Sequence, residues 1–201
     1  GGVLAIAKVL SLFVKKVNLF TYGSEIKNKN FSTNVKIINL DKDLNIQKKT
    51  RLINQNRSEK ITQITNFKNR SFLKVASDKM IKTLKQYELK NLIVADYGID
   101  LFENDILKYI NKLKSKKFIN VQTNSLNFGK NIYHKFQDFY FLSLDENEWQ
   151  LSLNTKKLEI DAIKKLSKSN NKKLFALTCG KNGSYLFNNN KSYYSPVFEN
   201  R

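Results

Sequence analysis

Leu174-Phe175-Ala176-Leu177-Thr178-Cys179-Gly180-Lys181-Asn182-Gly183 is the stretch on which the fold turns. A four-residue apolar run ends at a threonine and enters a T-x-G-x-x-G turn, the pattern of a buried strand that opens at its carboxyl end. Glycines at 180 and 183 let a backbone come close to a bulky anion, and a strand-end Thr hydroxyl can donate to a phosphate. A plain glycine turn between two strands accounts for the same residues. The stretch gains weight from its place after Gly1-Gly2, Asp96-Tyr97-Gly98 and Asp145-Glu146-Asn147-Glu148.

Working outward, residues 183–187 and 192–197 read as antiparallel strands. Upstream, helices are expected over about 145–153 and 157–168, after a strand at 139–142. Before these come a strand at 118–121, a helix over 103–115 with Ile106, Leu107, Ile110 and Leu113 at helical spacing, a strand at 92–95 and a helix over 74–87. Residues 46–73 carry short alternating pieces without helical period and suggest a small β appendage. The first part reads as a helix over 3–16, from Leu4, Ala7, Leu10, Phe13 and Val14, then strands at 17–22 and 35–40. Strands alternating with helices of a dozen residues predict an α/β fold with a mostly parallel sheet covered on both faces. Ligands of such sheets bind at the carboxyl ends of the strands, where Gly23, Asp96, Gln122-Thr123-Asn124, Asp145 and Thr178 fall.

A chain of 201 residues with 41% hydrophobic content can bury a real core and is not of disordered composition. No apolar run approaches the ~18 residues of a membrane span. One cysteine, Cys179, excludes an internal disulfide and a zinc cluster, which fits a reducing, cytoplasmic location. One histidine, His134, lies in an Asn/Lys-rich loop and is expected to be a solvated residue rather than a catalytic base. The net charge of +19 invites a nucleic-acid partner, but the lysines are spread along the chain and alternate with Asn, so none is expected. The ends at Gly1 and Arg201 read as those of a fragment.

Each candidate motif has two meanings. Gly1-Gly2 before a helix lets a ligand approach its N-terminus, or is a remnant of cloning. Asp96 can accept sugar hydroxyls or cap the next helix. Asp145 and Glu148, at i and i+3 of a helix start, can organise a hydrated Mg²⁺ or form an N-cap pair. Trp149, the Phe residues and Tyr193-Tyr194 are expected to pack the core or an edge.

Taken in order, these pieces resemble the ribokinase-like (PfkB) carbohydrate kinases. Gly1-Gly2-Val3-Leu4-Ala5-Ile6-Ala7 is similar to that family's G-G-x-x-N-x-A, Thr178 to Gly183 to its nucleotide turn, and Asp145-x-x-Glu148 to its N-x-x-E. Val94-Ala95-Asp96-Tyr97-Gly98 resembles the S-D-Y-x-K-G segment of the kinase domain of ADP-heptose synthases. The run from Val121 to Asn131 resembles the N-T-Q-T-N-S-x-N-x-G-x-N of a branch often fused to a cytidylyltransferase-like domain, and Lys49-Thr50-Arg51 the K-T-R of its lid. Ala5, Leu144, Asp145 and Gln122 depart from the family's residues, and the G-A-G-D motif with the catalytic Asp is not in this sequence.

The resemblance implies a three-layer ribokinase-like fold with a β lid at 46–73. It also implies an ATP- and Mg²⁺-dependent sugar kinase of the heptose-7-phosphate type, serving surface polysaccharide precursors. Thr178, Gly180, Lys181 and Gly183 would then line the nucleotide. Gly1, Gly2, Lys49, Arg51, Asp96 and Asn124 would face the sugar phosphate, and Asp145 and Glu148 the metal. No catalytic base lies in this chain. The lid would mediate a homodimer. A retired kinase fold that binds a nucleotide or nucleotide sugar is the other reading.

Overall fold

The computed structural model describes residues 2–23, 31–41, 47–57, 59–67, 70–123, 128–170 and 172–197. It resolves into two compact units, residues 1–87 with 99–101, and residues 88–98 with 102–201.

The first unit holds α1 (Gly2–Leu10), β1 (Val17–Thr21), β2 (Val35–Asn39), the antiparallel pair β3 (Gln47–Asn54) and β4 (Glu59–Phe67), and α2 (Arg70–Leu84). β1 and β2 run parallel. The helix expected over 3–16 stops at Leu10. Leu12 N–H and Phe13 N–H bond three residues back, to Val9 O and Leu10 O, and Asn34 Nδ2 donates to Ser11 O and Val14 O, each at 2.8 Å. The apolar period continued past the helix into residues that stay exposed: Phe13 and Val14 project outward. α2 starts at Arg70, earlier than expected, and its last turn tightens as Gln86 N–H and Tyr87 N–H bond to Thr83 O and Leu84 O. Tyr87 then packs edge-on against Phe20, with centroids 5.1 Å apart.

The second unit is built on a six-stranded sheet. Its strands are β5 (Asn91–Asp96), β6 (Lys116–Val121), β7 (Phe141–Asp145), β8 (Leu174–Thr178), β9 (Ser184–Asn188) and β10 (Lys191–Ser195), in that spatial order. β5 to β8 are parallel; β9 and β10 turn back antiparallel. Parallel neighbours need crossovers, supplied by α3 (Asn104–Lys112) between β5 and β6 and by α4 (Glu146–Leu153) with α5 (Ile160–Ser169) between β7 and β8.

Alternate residues of the strands point into one core: Val94, Ile119, Val121, Leu142, Leu144, Phe175, Leu177 and Phe187 are buried. Trp149 of α4 is fully buried against Phe175, and its indole N–H donates to Ala176 O at 3.0 Å. Tyr193 and Tyr194 are exposed on the edge strand. β7 begins two residues later than the apolar run Phe139-Tyr140-Phe141-Leu142 suggested. Phe139 instead meets Tyr133 and Phe175 edge-on, with Lys173 Nζ 4.3 Å above its ring. This is an α/β architecture, a mixed and mostly parallel sheet with helices.

Candidate functional site

β7 and β8 lie side by side in register, so Asp145 and Thr178, the last residue of each, are direct partners at the carboxyl edge of the sheet. Beyond Asp145 the chain enters α4 through a capping box. Asp145 Oδ1 accepts Glu148 N–H at 2.8 Å, and Glu148 Oε2 accepts Asp145 N–H at 2.8 Å. Two of the donors that a helix start leaves unpaired are thereby satisfied. The other oxygen of Glu148 accepts Thr123 N–H at 3.1 Å. Glu148 is buried, and burial pushes its carboxyl above the usual carboxylate range, with the neighbouring Asp145 charge adding to the shift. The backbone N–H groups of Asp145 and Thr123 oppose it. Asp145 itself stays exposed.

Beyond Thr178 the chain turns through a short 3-10 segment, Gly180–Asn182, closed by Cys179 N–H to Gly183 O at 2.8 Å. The two glycines of the motif have different reasons. Gly183 has φ +81°, and a Cβ there would lie 2.3 Å from Ser195 O and 3.1 Å from Pro196 Cα. Only glycine lets the segment after β10 cross so close. Gly180 has φ +52°, and a Cβ there would meet nothing within 4 Å. Its freedom serves the turn, and its surroundings are open.

An open groove of about 570 Å³ lies over this edge. It is lined by Asp145, Glu146 and Asn147 at the start of α4, by Thr178, Gly180, Gly183 and Ser184 around the turn, and by Ser195, Pro196 and Val197 at the end of β10. Among the described residues, no Lys or Arg lines it, and Lys181 is exposed on the turn. Cys179, just behind Thr178, is buried, and burial with the Glu146 charge raises its thiol pKa, so it is a poor nucleophile.

Asp96, in the same unit, is not among the residues that line this groove. Asp96 ends β5 and is 1% exposed. It does not cap α3, whose N-cap is Glu103. Its Oδ1 accepts Gly98 N–H at 2.9 Å, and its Oδ2 lies 2.6 Å from Lys135 Nζ. Arg51 is exposed on β3, with Nε donating to Gln63 Oε1 across the hairpin at 3.0 Å. Gly2 is the first residue of α1. Gly1, Asn124 and the Lys49 side chain lie outside the described residues. His134 is exposed as expected, but it is held: its ring stacks on Tyr133, and Nε2–H donates to Ser152 O at 2.8 Å.

Sequence reasoning did not anticipate Ser184, Ser195, Pro196 and Val197 as groove residues, or Lys135 as the partner of Asp96. The first group could have been found from the hairpin β9–β10, whose register brings Ser195 opposite Ser184 and so beside the turn. Nothing local marks Lys135.

No protein-family model and no curated protein matches the chain by sequence. Solved structures match it by fold. Phosphofructokinase-2 from Escherichia coli, in complex with fructose-6-phosphate, superposes with a TM-score of 0.66 at 10% identity, over 98% of this chain and 67% of that one. Nucleoside kinase from Methanocaldococcus jannaschii, an archaeal member of the ribokinase family, superposes with a TM-score of 0.55 at 16% identity, over 98% of this chain and 64% of that one. The chain thus has the ribokinase-like fold and spans about two thirds of the length of these kinases.

Proposed function

We propose that this chain is the larger part of a carbohydrate kinase that transfers the terminal phosphoryl group of ATP to a hydroxyl of a sugar or sugar phosphate. Heptose 7-phosphate is the substrate that the resemblance of the 121–131 run points to, in a cytoplasmic enzyme making polysaccharide precursors. The observation that carries the proposal is the groove at the β7–β8 strand ends, where Thr178, the open Gly180 and the exposed Asp145 converge. The solved kinases of this fold support it.

The residues fit a particular form of the nucleotide. Among the described residues the groove lining holds Asp145 and Glu146 and no basic side chain, so a bare polyphosphate would be repelled there. No cluster of three or more His, Cys, Asp or Glu that could cage a metal exists among the described residues. Both observations suit a Mg²⁺ that arrives hydrated on the phosphates and takes few protein ligands. Asp145 would hold it, directly or through water, with Glu148 fixing the helix start behind; bound there, the ion would neutralise phosphate charge. Thr178 would donate its hydroxyl to a phosphate, Gly180 would admit the nucleotide, Gly183 would hold the turn, and Lys181 would add positive charge nearby. Gly1, Gly2, Lys49, Arg51, Asp96 and Asn124 are the proposed sugar-facing set. Exposed Leu52, Ile53, Ile61 and Ile64 of the β3–β4 hairpin would support the proposed lid-mediated dimer.

Calorimetric titration with ATP, with and without Mg²⁺, tests the nucleotide assignment. Affinity that falls at least about tenfold in EDTA is expected, since two carboxylates then face bare phosphates; equal affinity under both conditions would contradict it. A second reading is a domain that binds a nucleotide or nucleotide sugar without phosphorylating. The closure of Asp96 by Lys135 favours it, because that carboxylate is already paired. ATP turnover by the full-length protein in the presence of a sugar phosphate would exclude it.

A further inference from the structure

A cluster of polar groups at the ends of β5 and β6, with Asp96 and Asn131 buried, leads toward the groove without lining it. Lys135 Nζ lies 2.6 Å from Asp96 Oδ2 and donates to Asn131 Oδ1, also at 2.6 Å. Asn131, itself buried, donates from Nδ2 to Gln122 O at 3.0 Å, and Gln122 N–H donates to Asp96 O at 2.7 Å. The next amide, Thr123 N–H, is the one that reaches Glu148 Oε1. Contacts are therefore continuous from Asp96 through Lys135, Asn131 and the Gln122–Thr123 backbone to Glu148 and Asp145.

A charge pair with a buried Asp96 and a partly exposed Lys135 is weak evidence for stability, since apolar residues of similar volume often serve as well. What the ammonium adds is orientation. An ammonium is donor-only, so it fixes which end of the Asn131 amide faces it and leaves the NH₂ aimed at the Gln122 carbonyl. Gln122 is then gripped on both sides, its N–H on β5 and its C=O on Asn131, which fixes the direction of the next N–H. With one Glu148 oxygen held by that N–H, the other is presented to Asp145 N–H.

We infer that Lys135 and Asn131 are positioning residues: they brace the Gln122–Thr123 backbone so that it holds Glu148, and with it the start of α4, beside the groove. The functional consequence rests on the nucleotide assignment above; the brace itself does not.

The test uses the whole 201-residue chain, with residue-resolved amide hydrogen exchange and titration with Mg·ATP. Asn131→Asp keeps the size and the Lys135 contact but removes the donor to Gln122 O. The double variant Asp96→Asn, Lys135→Met removes both charges together, so that neither is left buried alone. Both are expected to speed exchange of Thr123 N–H about tenfold while Phe175 and Leu177 in β8 keep their protection. Both are also expected to weaken Mg·ATP binding by about tenfold, the scale of a hydrogen bond to a charged group. A merely structural role would lower protection across the sheet alike, and that result overturns the inference. Unchanged Thr123 exchange in a folded Asn131→Asp overturns it as well, as does lost Thr123 protection with unaltered Mg·ATP affinity. Should the parent chain bind no Mg·ATP, the nucleotide assignment fails, and the exchange of Thr123 decides the brace alone.

Discussion

The ends of β5 and of β7–β8 are the same kind of place with opposite outcomes. In each, an apolar strand finishes at an acidic residue on the carboxyl edge of one sheet; Gly98 lies two residues after Asp96, while at the second place Gly180 comes after Thr178 of the neighbouring β8. At β5 the carboxylate of Asp96 is turned inward, paired with Lys135 and folded over Gly98 N–H. At β7–β8, Asp145 and Thr178 are exposed at the mouth of a groove. The strand end supplies position only. Whether the position is closed or open depends on what the rest of the chain sends there: a lysine from a distant 3-10 turn in the first case, a hairpin that passes to one side in the second.

The comparison can be broken at its closed end first. Lys135→Met should leave Asp96 buried without its counter-charge and lower stability by about 3–5 kcal/mol, read as a large drop in the denaturant midpoint. A drop below about 1 kcal/mol would show that Asp96 is not held as a buried charge. Next come the two glycines. Gly183→Ala sets a Cβ against the Ser195 carbonyl and should cost about 2–3 kcal/mol, mostly by displacing the segment after β10. Gly180→Ala meets open space and should cost only the left-handed backbone penalty, about 1–2 kcal/mol. Equal losses would remove the distinction between a packing glycine and an open one.

Smaller effects belong to the open end. Asp145→Ala should remove the cap at about 1 kcal/mol, while Asn at this position, which can still accept the N–H, should cost less. Glu148 gives a pH signature. Its carboxyl is raised above its ordinary 4.5 by burial, so the folded state holds that proton more tightly than the unfolded state. Its contribution is therefore fully present below about 4.5 and is lost as pH rises through the higher folded value. Melting temperatures of the native chain and of Glu148→Gln across this window should differ in slope, with the variant lacking that loss; parallel curves would contradict the buried assignment. Smallest of all, Thr178→Val should alter stability by under about 0.5 kcal/mol, while Mg·ATP affinity falls several-fold.

Much of the second unit was legible because its strands are short, apolar and closed by Gly, Asp or Thr. The ends at Val121 and Thr178 fell where the pattern put them, and β5 runs one residue past the expected Ala95, since a parallel strand buried in a sheet must be nearly continuous in apolar residues. Helix and strand starts were less legible. Phe139 looks like strand and is a core aromatic beside it, because aromatic burial and strand membership share the same residues. Phe13 and Val14 keep helical spacing beyond a helix that Asn34 terminates from outside. The capping box could be read from Asp145-x-x-Glu148 alone, being local. Lys135 on Asp96 and Ser195 beside Gly183 could not, being long-range encounters with no spacing rule.

The central claim is that the groove at β7–β8, and not the end of β5, receives the nucleotide. Titrating isotope-labelled chain with Mg·ATP and following the amide resonances tests it most directly. The account predicts shifts at Asn147, Gly180, Gly183 and Ser184 that saturate together, with Asp96 and Gly98 still. Shifts confined to Asp96 and Gly98, or none at the groove at saturating nucleotide, would contradict it.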